Sequence, residues 1–430
     1  MELDRTYLLS NKRNHWFKIK SIYYFPIIYL LLSPFADLIT GIMILKMGMG
    51  EGFIGSPSQL IRIVFLISFF FLLNKKELLI SIGVLLWLIA IESTAFFYIP
   101  SFSPFISGLN NSIKILFILL LYFATKQSLA HGISYSKLSN ALLNSSMFYG
   151  LGILIPTFLG IGMTTYTEGT FGQRGLFASG NALGIYLGLT SFYALLRKNK
   201  TKYEKIQTII IIAALSILGT KTALLCLGCA FIIFLSMQPK TIRLLFICLI
   251  TGILILYYEK LIELFSTVFD VIIFLYDRKP TFFSFIMNSR DDYILGAFND
   301  FFKSDIWFLK LCFGGGAFIS FRPYYVDGMV FDQLETDIFD VFFMYGIIGA
   351  IAYLSCIGFF LTKAIKTKNM FLTLVTLFFS FHSILAGHII FDGIPMIVGV
   401  YTALSILNYP KFIKYFNSQD ERNYCISSTQ

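Results

Sequence analysis

The sequence is poor in charged residues and in recognisable catalytic motifs. Asp, Glu, Lys and Arg make up 13% of its 430 residues, about half of the roughly 25% found in soluble globular domains. It contains no HExxH, GxSxG or Walker pattern, and its six cysteines form no cluster with histidine. The sequence therefore gives no support for a zinc hydrolase, a serine hydrolase or a P-loop nucleotidase. It also predicts no metal site.

What the sequence has instead is hydrophobic residues, which make up 57% of the chain. They are gathered into runs, and a membrane-spanning helix needs about 20 apolar residues. The pattern predicts an all-α integral membrane protein with about 12 transmembrane helices, a single polytopic membrane domain over residues 1–430. The predicted spans are Tyr23–Ile44, Gln59–Leu73, Glu77–Phe97, Phe105–Thr125, Ser139–Gly160, Leu176–Leu196, Ile206–Gly219, Ala223–Met237, Thr241–Tyr257, Ile338–Leu361, Met370–Ala386 and Ile389–Asn408.

The placement of Lys and Arg predicts the orientation of these spans. If the N-terminus is cytoplasmic, 22 of the 34 basic residues fall in cytoplasmic loops and tails. Cytoplasmic loops of membrane proteins carry such an excess, so both termini are expected on that side. The net charge of +10 is then explained by topology and by attraction to anionic lipids, and no nucleic-acid partner is expected.

One long polar stretch interrupts the apolar runs and predicts a partly helical extracytoplasmic loop over residues 258–337. It holds seven basic and twelve acidic residues. Apolar residues recur at helical spacing over 261–270, which predicts a helix lying along the membrane interface. Arg290 falls in the first turn of a second predicted helix. The apolar face of that helix ends at Phe302. The glycines at 314–316 have no phosphate-loop context and predict a turn.

Ionisable residues in or beside the spans are functional candidates, because their burial in a membrane costs free energy. Arg174 lies between Gly172 and Gly175, and such glycines let the backbone bring a guanidinium close to a ligand. A guanidinium is a planar, permanently charged fork that suits a diphosphate. A structural role is the alternative for Arg174, and for Lys221 the alternative is a long side chain that reaches the interface.

Two carboxylates close the long loop, directly before the next predicted span. Glu335 and Asp337 are two residues apart, so they do not share a helix face. At a helix entrance one carboxylate can cap the helix while the other stays free. Asp337 is the expected N-cap and Glu335 the expected general base.

The order of these features resembles that of the O-antigen and capsular polysaccharide repeat-unit polymerases of the Wzy type, within the O-antigen ligase and polymerase superfamily. The resemblance covers nearly the whole chain, and each motif is weak alone. Its segments, in chain order, are Pro34–Gly41, Ser58–Arg62, Gln173–Phe177 with Asn181, Gly219–Ala223, Asn288–Arg290, Phe313–Gly316, Glu335-x-Asp337, Tyr345–Gly349 and Ala386–His388.

The resemblance implies a metal-independent, cofactor-free inverting glycosyltransferase in the bacterial plasma membrane, with its active site facing the periplasm or cell exterior. The donor would be a growing chain on undecaprenyl diphosphate, and the acceptor one lipid-linked repeat unit. Arg174 and Arg290 would bind the diphosphate, while Glu335 or Asp337 would deprotonate the attacking hydroxyl. The implied partners are a chain-length regulator and a flippase of the same pathway. The supporting candidates are Arg62, Lys221, Arg322 and His388. Arg322 matches no motif of the family, and a salt bridge within the loop is the alternative for it.

Two other functions are compatible with a protein of this layout. A ligase of the same superfamily would move a finished chain to another acceptor, but the lipid A–core ligases tend to carry a histidine where this chain has Glu335-Thr336-Asp337. A lipid-linked oligosaccharide flippase is the other alternative. Transporters commonly carry internal repeats with broken helices at corresponding positions, and the sequence has no such correspondence.

Overall fold

The computed structural model describes residues 21–50, 55–97, 99, 101–165, 172–197, 200–256, 258–259, 290–323, 333–387 and 389–418. The predicted interface helix at 261–270 and the candidate His388 lie outside these residues. Within the described part of the chain, regular structure is helical except for the two short strands β1 (Met163–Thr164) and β2 (Gln173–Gly175), which pair antiparallel. The all-α prediction is confirmed.

Each apolar run predicted from the sequence coincides with one helix of the structure. In chain order they are α1 (Phe25–Met47), α2 (Pro57–Phe70), α3 (Lys75–Glu92), α4 (Phe102–Ala130), α5 (Tyr135–Phe158), α6 (Gly180–Leu196), α7 (Lys202–Leu218), α8 (Lys221–Ser236), α9 (Lys240–Leu256), α10 (Arg290–Phe301), α11 (Trp307–Phe313), α12 (Gly316–Ile319), α13 (Asp337–Lys366), α14 (Met370–Leu385), α15 (Gly393–Leu407) and α16 (Tyr409–Ser418).

Among the described residues, five helices are long and apolar enough to cross a membrane. The number rises to six if α15 and α16, which meet at a bend of 101°, form one span. Further apolar helices are shorter, such as α6 with 17 residues and α8 with 16. The protein is therefore an all-helical membrane protein, as the hydropathy predicts.

Helix ends are set by local capping chemistry. At the α7–α8 turn, Gly219 adopts a left-handed conformation with φ 65° and ends α7. Thr220 then accepts a hydrogen bond from the backbone N–H of Ala223 and starts α8. A glycine after one helix and a threonine before the next give a two-residue connection. Helices α7 and α8 therefore form a tight helical hairpin.

Helix α6 forms the centre of the bundle, with every residue from Ala182 to Leu195 buried. Gly184 and Gly188 face α8, and a Cβ atom at either position would collide with Thr220 or Cys226. Small residues let two membrane helices approach closely, and dispersion contacts then stabilise the pair. This packing holds the N-terminus of α6 in the middle of the bundle.

Helix α13 is broken at Gly346, which the sequence did not predict. Gly346 has φ 67° and ψ −169°, a conformation that is essentially restricted to glycine. The break brings the backbone of Gly346 against the carbonyl of Cys312, at the end of α11. The N-terminal half of α13, which begins at Asp337, thus takes its position from the segment 290–323.

Replacing Gly346 by alanine is expected to lower the thermal unfolding midpoint and expose the segment 290–323 to protease. The backbone strain costs about 1–3 kcal/mol, and the new Cβ would collide with the Cys312 carbonyl. Gly358 in the same helix is the matched control, because a Cβ there meets nothing within 4 Å. Equal behaviour of Gly346→Ala and Gly358→Ala would contradict the packing role of the break.

Candidate functional site

Most of the candidate residues lie at one end of the helix bundle, which we call the Glu335 end. It is defined by the start of α13, the α7–α8 turn and the connection from α14 to α15. The contacts that hold these segments together are few and specific.

Glu335 and Arg290 form an ion pair, with 2.8 Å between Nη2 of the arginine and Oε2 of the glutamate. The Arg290 side chain is 9% exposed and that of Glu335 is 46% exposed. Among the described residues, the buried Nε of Arg290 has no hydrogen-bond partner. The pair therefore joins a largely buried guanidinium, a group that suits anionic ligands, to a half-exposed carboxylate.

Glu335 is held in an unusual backbone conformation, with φ 58°. Left-handed conformations of residues other than glycine cost about 1–3 kcal/mol and cluster at functional sites. The Glu335 carbonyl packs directly on Gly387, where a Cβ would lie only 2.5 Å from the Glu335 oxygen. The α14–α15 connection therefore packs against Glu335 and supports its strained backbone.

Asp337 is fully buried and has a different role from its neighbour. Its carboxylate accepts a hydrogen bond of 2.5 Å from Ser383 Oγ. It also accepts hydrogen bonds from the backbone N–H groups of Ile389 and Ile390, at 3.2 and 3.4 Å. The N-cap expected at Asp337 falls on Thr336 instead, whose side chain forms no cap hydrogen bond. These hydrogen bonds of Asp337 hold the α14–α15 connection against the start of α13.

Arg174 lies on β2, directly before the central helix α6. Its guanidinium donates to the carbonyl of Ala178, and its Cβ lies against Gly180, the first residue of α6. Gly175, with φ 61°, packs on the Gly152 carbonyl of α5, where a side chain would collide. The glycine after Arg174 is thus required for the close approach of β2 to α5.

Asn181 was noted in the sequence without a role, and the structure gives it one. It is exposed in the first turn of α6, although every residue from Ala182 to Leu195 is buried. Ser179 caps the same helix by accepting from the Ala182 N–H at 3.3 Å. An exposed polar residue at the start of an otherwise buried helix indicates that the N-terminal end of α6, beside Arg174, is open to solvent.

A chain of contacts links the Arg174 hairpin to Asp337 and Glu335. Thr165, next to β1, donates to the Leu218 carbonyl at 2.8 Å, which places the hairpin against the α7–α8 turn and Lys221. Across that turn, Thr222 Oγ1 lies 3.5 Å from Nδ1 of His382 on α14. The next residue, Ser383, bonds Asp337. His382 was missed by the sequence reasoning.

Arg62, on α2, contacts both α1 and the start of α15. Its guanidinium lies 3.8 Å from Asp37 Oδ1 on α1 and packs on Gly393 at the start of α15, where a Cβ would lie 2.7 Å from its central carbon. Tyr149 donates to Asp37 and its ring contacts Phe177, 5.2 Å between centroids. Arg62 is therefore brought to the layer beneath the Arg174 segment.

Arg322 lies on the short segment after α12. Its guanidinium donates to the Phe318 carbonyl at 3.1 Å, and its own carbonyl accepts from Lys310 Nζ at 2.6 Å. Burial lowers the pKa of the Lys310 ammonium to about 8. Glu92 accepts from the Ala317 N–H at 3.0 Å and anchors α12 to the end of α3. These contacts order the segment that carries Arg290.

The Glu335 end thus brings several cations together with the half-exposed carboxylate of Glu335. Among the described residues, no group of three or more His, Cys, Asp or Glu side chains is placed to hold a metal ion. No protein-family model matches the chain, and no curated protein sequence matches it. Function is therefore argued from the arrangement of these side chains.

Proposed function

We propose that the protein is a polysaccharide polymerase that joins undecaprenyl-diphosphate-linked oligosaccharide repeat units. The observation that carries the proposal is the 2.8 Å contact between Arg290 and Glu335. The contact supports the proposal because a guanidinium suits a diphosphate and a neighbouring carboxylate suits proton transfer. Arg174, Lys221 and Arg62 are gathered around the same end of the bundle, as the resemblance implies for such an enzyme.

The reaction is an inverting glycosyl transfer. A hydroxyl on the terminal sugar of the acceptor attacks the anomeric carbon of the donor from the face opposite the diphosphate. The new glycosidic C–O bond forms as the bond from the anomeric carbon to the phosphate oxygen breaks. Glu335 accepts the hydroxyl proton, and undecaprenyl diphosphate leaves with the bonding electron pair.

The arginines stabilise the charge that develops on the leaving diphosphate. Groups that are already in position need no reorganisation during the reaction, and removing one costs about 10²–10³ in rate. The guanidinium of Arg290 is such a group, since its pairing with Glu335 at 2.8 Å already holds it in place. The same arginine orients Glu335, so the leaving group and the base are coupled through one side chain.

The proposed topology has twelve spans, both termini in the cytoplasm and the Glu335 end facing the periplasm or the cell exterior. Basic residues at the opposite end support this orientation, since cytoplasmic ends are rich in Lys and Arg. That end includes Lys75, Lys126, Lys137, Arg197, Lys202, Lys240, Lys363 and Lys366. The enzyme then meets its lipid-linked substrates at the outer leaflet of the bacterial plasma membrane, alongside the flippase and chain-length regulator of the pathway.

Replacing Arg174 by alanine is expected to abolish polymer while membrane insertion is retained. Arg174→Lys should restore little, because an ammonium is a point charge and cannot replace the bidentate fork. Polymer length is measured on gels after expression in a strain that lacks the native gene. Arg243→Ala at the opposite end is the control. Full-length polymer from Arg174→Ala would remove this arginine from the site.

The proposal is tested by deleting the gene in its host and examining the surface polysaccharide. The expected result is a collapse of the ladder to a single repeat unit, restored by the wild-type gene. Long lipid-linked chains that no longer reach the surface acceptor would indicate a ligase. Repeat units trapped on the cytoplasmic side would indicate a flippase.

A further inference from the structure

An exposed apolar surface lies on the segment that carries Arg290. Large side chains at the end of α10 and along α11 remain 39–62% exposed, and we call them the α11 patch: Phe302, Trp307, Phe308, Leu309 and Phe313. The rings of Phe302 and Trp307 lie 5.7 Å apart between centroids, and those of Trp307 and Phe308 lie 5.9 Å apart. Contiguous exposed apolar surface marks a site of interaction with a protein or a membrane.

The opposite face of this segment is packed against the bundle. Ile294, Ala297 and Phe301 of α10 are buried in one cluster with Phe343 of α13. On α11, the buried Lys310 donates to the Arg322 carbonyl at 2.6 Å. Because the inner face is fixed by these contacts, the α11 patch is held facing away from the bundle.

The contact with α13 sets the height of the α11 patch in the membrane. Directly after α11, the Gly315 N–H donates to the Phe343 carbonyl at 3.0 Å. Helix α13 has no charged residue between Asp340 and Lys363. A hydrocarbon core of about 30 Å takes about 20 residues at 1.5 Å each, and counted from Lys363 it ends at Phe343. The end of α11 therefore lies at the edge of the hydrocarbon core.

Exposed apolar surface continues from α11 onto this span. Gly346 of α13 packs on the carbonyl of Cys312. The residues that follow these two in the chain, Ile347 and Phe313, are 46% and 51% exposed. Ile351, one turn further along α13, is exposed as well. An apolar surface that joins a membrane-spanning helix at the edge of the hydrocarbon core fits lipid better than a soluble partner.

We infer that the α11 patch inserts into the membrane surface, in the leaflet at the Glu335 end. Interfacial segments bury their apolar face about 5–10 Å into the boundary between head groups and acyl chains. Trp307 suits this boundary, where tryptophan is enriched in membrane proteins. The exposed pair of Asp300 and Lys303 stays among the head groups. The insertion holds α10, and Arg290 with it, at the membrane surface, whichever reaction the protein performs.

The test measures the depth of Trp307 in the full-length protein in lipid nanodiscs. Trp16→Phe and Trp87→Phe leave Trp307 as the only tryptophan of the chain. Its fluorescence is quenched by phosphatidylcholines brominated near the head or near the end of the acyl chain, and by iodide from the water. Bromines near the head should quench at least about twofold more than bromines near the chain end, and iodide should quench weakly.

A reference position calibrates this depth. Leu354 is exposed on α13, and its distance from Lys363 along the helix is about 14 Å, close to the middle of the hydrocarbon core. Leu354→Trp, in a chain whose three natural tryptophans are phenylalanine, should be quenched most by bromines near the chain end. The two positions should thus show opposite preferences for the two lipids.

A pair of substitutions tests whether the patch itself holds the segment in place. Phe308→Ser with Leu309→Ser removes apolar area from the patch and should raise iodide quenching of Trp307 at least about twofold. Leu224→Ser with Leu225→Ser is the matched control, since both leucines are exposed on α8. It should leave the quenching of Trp307 unchanged.

Strong quenching of Trp307 by iodide, without quenching by either brominated lipid, would overturn the inference because the patch would then face water. Protection from iodide and from both lipids would also overturn it, since protein would then cover the patch. These readouts need no turnover. A protein with the expected depth of Trp307 that forms no polymer would contradict the proposed function and leave the membrane contact standing.

Discussion

Replacing Arg290 by alanine is expected to lower the rate of polymer formation by about 10²–10³. The substitution removes a buried guanidinium and leaves Glu335 without its partner at 2.8 Å. Both the stabilisation of the leaving diphosphate and the orientation of the base are then lost. Arg290→Lys should recover part of the rate, because it keeps the charge but not the second donor. The rate is measured as repeat units joined per minute by membranes with equal amounts of protein.

The matched control for Arg290 lies on the same segment. Lys303 forms an ion pair with Asp300 at 2.8 Å, but both side chains are exposed, at 65% and 44%. Exposed ion pairs contribute little to stability, so Lys303→Ala should stay within about twofold of the wild type. Equal loss in Lys303→Ala and Arg290→Ala would mean that the whole segment, rather than this guanidinium, is needed.

Glu335→Gln is expected to lower the rate by about 10²–10⁴, the range for loss of a general base. Glutamine keeps the shape of the side chain and can still accept a hydrogen bond from Arg290. It cannot take a proton from the attacking hydroxyl. Binding of undecaprenyl diphosphate should stay near the wild-type value, so the effect falls on turnover and not on affinity.

Asp337 gives the contrast that identifies the base. Its carboxylate is fully buried and already accepts hydrogen bonds from Ser383, Ile389 and Ile390. Asp337→Asn should therefore lower the thermal unfolding midpoint by more than Glu335→Gln, because the Glu335 side chain is 46% exposed. A stable Asp337→Asn that loses turnover, together with an active Glu335→Gln, would assign the base to Asp337.

Much of the fold is encoded locally and could be predicted from the sequence. Runs of apolar residues and the capping residues between them give each helix from α1 to α9 to within a few residues. The break at Gly346 could not be predicted, because its cause is the carbonyl of Cys312, far away in the chain. A glycine within an apolar run is otherwise predicted to continue the helix. Gly358 does continue it.

The site was predicted as a list of residues but not as an arrangement. Arg290 and Glu335 were both candidates, yet they are 45 residues apart and nothing in the sequence pairs them. The difference between Glu335 and Asp337 comes from the α14–α15 connection, which buries one carboxylate and leaves the other half exposed. The exposure of Asn181 and the place of His382 become clear only when α6, α8 and α14 are packed together.

The central claim is tested most directly with the purified protein and lipid-linked repeat units extracted from the deletion strain. The account predicts products with two or more repeat units on one lipid carrier. It also predicts one undecaprenyl diphosphate released for each new glycosidic bond, in a reaction that is lost in Glu335→Gln. Repeat units that stay single, or that leave the carrier for a different acceptor, would contradict it.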